Sequence, residues 1–426
     1  MKASIISRTD KSFKMEVEIP YCSSMLQNED EIMKSFNDAG KIATTEILKR
    51  FDTDGSPIKV AGIKLTSKGT VLKQYQTPYG AIDLERHVYQ GCYGGKTFCP
   101  LDQNARIVGT STPRFAKMVS FKYANMGTKE VMRDLSENHG RATARSFVKD
   151  VSDCVGAIAL AKEDDWEYAI PEPDAPVQNI SIGIDGTSLR MYEGGYRETM
   201  VGTISLYDDA GERQFSSYIG ASPEYGKEKF YERMDKEISR IKNKFPDATY
   251  LGIADGAKGN WEFLGQHVNH QIIDFYHASQ YLSQAAENVY STKKDKPKKH
   301  EWLNDSCHDL KHKRGAVSRI LRELEEFCVS GNREDLPDVE SAVTYFRNNK
   351  GKMNYYKFVS NKMPIGSGVT EAACKVIIKQ RLCKSGMRWK LKGAEVVITL
   401  RCLVNTGNHW NQFWDKVDRY GYNLAA

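Results

Sequence analysis

The sequence predicts an α/β protein. A mixed five-stranded sheet with flanking helices and a helical insertion follows a small α+β module and a helix-turn-helix-like region. Three observations predict it. Five short apolar runs lie between residues 180 and 276, and one amphipathic helix divides the third run from the fourth. Residues 161–178 carry three Pro and a run of acids, which marks a linker between two differently patterned halves. Residues 115–155 show helical spacing alone.

The N-terminal module spans 1–114. Residues 1–19 alternate loosely, as in a hairpin. Helical spacing runs through Ile32, Phe36, Ile42, Ile47 and Phe51 and stops at the turn Asp54-Gly55. The runs 70–77 and 81–89 read as two strands around Pro78-Tyr79-Gly80. In the region 115–160, Val131, Met132 and Leu135 form one stripe and Phe147, Val148 and Val151 another, with Asn138-His139-Gly140 between them. Two short helices about a tight Gly turn resemble a DNA-binding helix-turn-helix, and an ordinary helical hairpin has the same pattern.

The third domain spans 179–426. Ile180, Ile182 and Ile184 alternate in a first strand that ends at Asp185-Gly186. Strands at 199–207 and from Arg213 complete an antiparallel meander. The helix that follows places Phe230, Met234, Ile238, Ile241 and Phe245 on one face, with Lys242 and Lys244 in its last turn and Pro246 as its stop. Strands at 249–255 and 271–276 join by crossover connections, and the fourth again ends in Asp-Gly, at Asp255. Residues 291–360 form a charged helical insertion with the stripe Ile320, Leu321, Leu324 and Phe327. After the turn 364–368, a helix starting near Val369 carries Glu371 in its first turn.

Composition narrows the classes. In 426 residues, 40% apolar and 27% charged is a globular balance, which excludes collagen-like, coiled-coil and disordered chains. No run approaches the ~18 apolar residues of a membrane span. The N-terminus lacks the apolar core of a secretory signal, so the expected location is the cytoplasm, associated with the nucleoid. Nine scattered Cys read as reduced thiols rather than a disulfide framework. The net charge of +6 is small, but it is concentrated. Residues 375–401 hold eight Lys/Arg and one acid, and residues 293–314 hold eight against four acids. Such clusters suit a polyanion like DNA, or a solvated helix face.

Asp185 and Asp255 are 70 residues apart and each closes a strand; where those strands are neighbours, both carboxylates emerge at the same sheet end, and Glu371 follows 116 residues later at a helix start. Singly, Asp-Gly is good turn chemistry and an acid in a helix's first turn suits the dipole. Together, three carboxylates at one sheet end repel one another, because ordinary carboxyl groups ionise near pH ~4. Divalent cations relieve that repulsion, and hard oxygen ligands select Mg²⁺ or Mn²⁺. Two such ions suit attack at a phosphodiester.

The segments 182–190, 251–264, 272–282 and 364–389 resemble the catalytic core of bacterial insertion-sequence transposases of the ISKra group. The run Gly366-Ser367-Gly368-Val369-Thr370-Glu371, followed by Lys379, Gln380-Arg381 and Met387-Arg388-Trp389, is the most specific part. The resemblance implies a DDE-type enzyme with a ribonuclease-H-like fold. It implies Asp185, Asp255 and Glu371 as catalytic acids holding two Mg²⁺ or Mn²⁺ ions. It also implies the helical insertion between the fifth strand and the Glu-bearing helix. The expected partner is double-stranded DNA, at element ends and target, with a homodimer or larger assembly to join two ends.

Expected phosphate contacts are Lys379, Arg381, Lys384 and Arg388. Trp389 is placed to stack on an unpaired base or to sit in the core, and His277 to approach the scissile phosphate or to start a helix. Asp274 reads as structural. A silent domesticated DNA-binding protein and a nuclease of the same fold are the competing readings. Gly94-Gly95-Lys96-Thr97 is no phosphate-binding loop, because Gln90 stands where that motif needs Gly.

Overall fold

The computed structural model describes residues 3–224, 226–255, 258–330 and 336–422. Gly256 of the expected Asp255-Gly256 turn therefore lies outside the described residues, as do 331–335 of the insertion and the first two residues of the N-terminal hairpin. The chain forms two compact units, Met1–Ala169 with Thr399–Val404 and Asn408–Ala426, and Ile170–Ile398 with Asn405–Gly407.

In the first unit, β1 (Ala3–Arg8) and β2 (Phe13–Val17) form an antiparallel hairpin. Ser24 caps α1 (Met25–Lys49) by accepting from the Gln27 amide. A four-stranded antiparallel sheet follows in the order β3 (Ile58–Val60), β4 (Ile63–Gln76), β5 (Ala81–Gly91) and β6 (Gly94–Phe98). The stretch 94–97 is thus the start of an edge strand. Tyr75, Ile82 and Leu84 bury against Leu48 of α1 and Leu101 of α2 (Pro100–Asn104). The 115–155 region holds three helices where two were expected: α3 (Pro113–Asn125), α4 (Thr128–His139) and α5 (Arg145–Ala161). Gly140, at φ 60°, takes the left-handed conformation that closes α4. Phe115 stacks on Phe147, and the Arg141 guanidinium covers the Phe115 ring at 5.1 Å. The C-terminal helix His409–Tyr420 belongs to this unit, not to the sheet unit into which the 179–426 boundary placed it. Its Trp410 packs on Phe121, and Arg106 donates to the Asp418 carbonyl.

In the second unit, β7 (Asn179–Arg190), β8 (Tyr196–Tyr207) and β9 (Arg213–Gly220) form the antiparallel meander. α6 (Glu228–Lys244) leads to β10 (Thr249–Ala254), and α7 (Lys258–Leu264) to β11 (His270–Ile273). Both later strands add in parallel, giving the mixed five-stranded order β11-β10-β7-β8-β9. Phe230, Met234, Ile238 and Ile241 of α6 are all buried. Burial of each such side chain is worth about 1.5–3 kcal/mol. The sheet is extended by α8 (Phe275–Val289) and then the insertion: α9 (Lys296–His312), α10 (Ala316–Ser330), α11 (Pro337–Asn349) and α12 (Tyr355–Ser360). Ile320, Leu321 and Leu324 join the same core as Ile182, Ile204 and Leu282. The insertion is therefore packed into the sheet unit rather than appended to it. α13 (Gly368–Ala373), a π-helical turn (Cys374–Lys379), α14 (Gln380–Leu382) and α15 (Leu391–Asn405) complete the order. Among the described residues, no helix is long and apolar enough to cross a membrane.

Two boundaries beside the candidate acids differ from expectation. β7 does not stop at Asp185, because the twelve-residue β8 keeps it paired through Arg190. β11 stops at Ile273, because Asp274 caps α8 by accepting from the Tyr276 amide.

A buried ion pair pins α15 to α6. Glu395 accepts from Arg233 at 2.6 Å and from the Ser222 amide at 2.7 Å. Burial opposes its ionisation, yet Arg233, Ser222 and Lys229 outweigh burial and hold its carboxyl down at about 2. A depressed carboxyl pKa stabilises the fold above the unfolded value and ceases to do so as pH falls. Chemical denaturation should therefore show wild type losing about 3 kcal/mol more stability than Glu395→Gln as pH falls from ~4.5 to ~2.

Candidate active site

The site grows from sheet register. Ile253 of β10 pairs in parallel with Gly183 of β7. Asp255 stands two residues beyond Ile253, and Asp185 two beyond Gly183. Continued past the end of β10 at Ala254, that register sets Asp255 level with Asp185 of β7, on strands that run ~4.8 Å apart. β10 pairing ends there, so Asp185 meets the rim of the parallel half although its own strand continues. Its Oδ1 accepts from the Gly186 amide at 2.7 Å. Asp255 is exposed, and its carbonyl accepts from the Tyr345 hydroxyl of α11 at 3.2 Å. Tyr345 stacks on Tyr281 of α8 with ring centroids 3.9 Å apart.

Glu371 reaches the same rim because α13 lies directly on β7. A Cβ on Gly183 would fall 2.0 Å from the Thr370 Oγ1. Only glycine allows that approach. Thr370 is buried there, 2.7 Å from Thr203 Oγ1 on the neighbouring strand. The next residue, Glu371, is exposed. One turn later the backbone widens into the π-helical segment, a geometry frequent at functional sites. Its first residue, Cys374, is buried, and its thiol hydrogen-bonds the Asp185 carboxylate. Burial, then the charges of Asp185 and Glu371, push that thiol up; Lys379 acts the other way. The thiol stays protonated and donates to Asp185. Asp185 and Glu371 thus share one neighbour, and Lys379 supplies nearby positive charge.

A second set of contacts fixes the base of α13. Asp274 is fully buried. Its Oδ1 accepts from the Ser367 amide at 3.0 Å and its Oδ2 from the Ser367 hydroxyl at 2.9 Å. That hydroxyl also lies 3.1 Å from Glu371 Oε1. Asp274 is structural, as expected, but it sits inside the site. His277, just past β11 in the first turn of α8, has its Nε2 3.9 Å from Asp274 Oδ2. Among the described residues, one set of three potential metal ligands closes to within 4.8 Å, namely Asp274, His277 and Glu371. Asp185, Asp255 and Glu371 do not form such a set. Asp274, Ser367 and Cys374 were missed as site residues. The usable signal was Asp274-Phe275-Tyr276-His277, whose i,i+3 spacing at a helix start puts both side chains on one side.

The basic segment divides in two. Lys379, Lys384 and Arg388 are exposed. Arg381, expected at the DNA surface, is instead 2% exposed, with its guanidinium 5.4 Å over the Trp389 ring. Trp389 donates its indole N–H to the Leu382 carbonyl at 2.9 Å. Its backbone continues the edge of β7, with its amide on the Arg190 carbonyl and its carbonyl on the Tyr192 amide. Arg381 and Trp389 anchor the loop that displays Lys384 and Arg388. Compared with known proteins, the chain matches no protein-family model and no curated protein.

Proposed function

We propose that this chain is a DNA transposase that cuts and joins DNA at insertion-sequence ends, with a ribonuclease-H-like core similar to the ISKra group. The observation that supports the proposal is the β7–β10 register, which sets Asp255, just past the end of β10, level with Asp185 of β7, together with the close seat of α13, the helix that carries Glu371, on Gly183 of β7. The donor set is all oxygen and acids outnumber cations there, so these residues fit hard divalent cations such as Mg²⁺. Bound cations would supply Lewis-acid activation of the attacking oxygen and charge relief at the leaving oxygen.

The chain's own residues do the rest. Asp185, Asp255 and Glu371 would hold the ions, two by the chemistry proposed. Cys374 holds the Asp185 carboxylate in one orientation. Asp274 and Ser367 hold α13 and with it Glu371. Lys379, Lys384 and Arg388 bind phosphates and set the register of the duplex without reading bases. Hydrolysis would free a 3′-hydroxyl, which then attacks target DNA in line. Joining two ends calls for a dimer or larger assembly.

The test is Mg²⁺-dependent cleavage and joining of supercoiled DNA carrying candidate end sequences. Both activities are expected of wild type. Cleavage without joining would favour a nuclease, and DNA binding without either a silent DNA-binding protein. Affinity should fall steeply with salt. Lys384→Ala with Arg388→Ala should flatten the log–log slope by about 0.9 for each phosphate that is no longer neutralised. An unchanged slope would remove this loop from the interface.

A further inference from the structure

We propose that Asp274, His277 and Glu371 form a divalent-cation site of mixed nitrogen and oxygen character that prefers Mn²⁺ to Mg²⁺. The site deepens the reading above, because Glu371 belongs to both ligand sets.

Three observations carry it. The three ligand atoms already lie within 4.8 Å of one another. Asp274 keeps room for an ion: its carboxylate has about four acceptor positions. Two on Oδ1 take the Ser367 and Tyr276 amides and one on Oδ2 takes the Ser367 hydroxyl. The remaining position is on Oδ2, the oxygen nearest His277. Third, the hydroxyl of fully buried Tyr355, on α12, has no hydrogen-bond partner and lies within reach of the Asp274 charge. An orphan buried hydroxyl destabilises the fold, and a cation's bound water would give it a partner. Imidazole beside two carboxylates shifts preference toward first-row transition ions, whereas Mg²⁺ favours all-oxygen sites.

The test measures Mn²⁺ binding to the full chain without DNA, by electron paramagnetic resonance, against a large excess of Mg²⁺. Wild type should retain one bound Mn²⁺. His277→Ala should weaken it by about tenfold or more, while Asp185→Asn should leave it in place. Unchanged binding in His277→Ala, or displacement of Mn²⁺ by Mg²⁺ at similar concentrations, would overturn the site. A readout free of any variant is broadening of the His277 ring resonances on Mn²⁺ addition; sharp resonances at saturating Mn²⁺ would also overturn it. The two readings fail separately. His277-dependent Mn²⁺ binding in a protein that never cuts DNA leaves this site standing and removes the enzymatic reading. DNA cutting with His277-independent Mn²⁺ binding does the reverse.

Discussion

Asp185→Asn and Asp255→Asn should each abolish DNA cutting and joining while leaving DNA binding intact. Both substitutions keep shape and remove charge. In Asp185→Asn the amide oxygen would still accept the Gly186 N–H that the Asp185 carboxylate accepts, so the backbone of β7 has no reason to move. What disappears is one of the three carboxylates proposed to hold the ions. Each rate should fall by at least about 10²–10³-fold, the cost of deleting a single preorganised electrostatic contact at a reacting oxygen. The exposed Lys379, Lys384 and Arg388 are untouched, so affinity and its salt dependence should match wild type. Without divalent cations, thermal melting should be unchanged or slightly higher, because a repelling carboxylate has been neutralised. Variants that cut as fast as wild type would remove both residues from the chemistry.

Gly183→Val should be nearly as damaging without touching an ionisable group. The added Cβ would fall 2.0 Å from Thr370 Oγ1 and 3.0 Å from Thr203 Oγ1. Neither atom is the end of a long flexible chain, so α13 must lift from the sheet. The 2.7 Å contact between the two threonines is then broken. Overpacking of this kind costs about 1–3 kcal/mol. The displacement carries Glu371 away from Asp185, so activity should fall further than stability does. Pairing Gly183→Ala with Thr370→Ala should restore part of the activity, because the remaining neighbours, Thr203 Oγ1 at 3.0 Å and Thr370 Cβ at 3.1 Å, need give way by only a few tenths of an ångström. Equal activity in wild type and Gly183→Val would show that Glu371 need not approach β7.

The strands and the α6 stripe were legible because alternation and 3.6-residue spacing report burial directly. Ile180, Ile182 and Ile184, and Phe230 through Ile241, bury as the spacing requires. The end of β7 was not legible, since pairing is set by the length of β8, which lies elsewhere in the chain. Arg381 was misplaced for a similar reason. A Lys/Arg run reports charge, but which member turns inward depends on Trp389, eight residues on, returning to the edge of β7. The equivalence of Asp185 and Asp255 needed the β7–β10 register, which alternation leaves open. Asp274 looked structural because the apolar run placed it on the fifth strand; it instead caps α8, and the turn at Ser367, 93 residues on, folds back onto it.

The most direct test is anomalous diffraction from crystals grown with Mn²⁺ and a DNA end. Ordered Mn²⁺ should appear within bonding distance of the Asp185, Asp255 and Glu371 carboxylates. Crystals with well-ordered DNA and no Mn²⁺ coordinated by Asp185 or Asp255 would contradict the account.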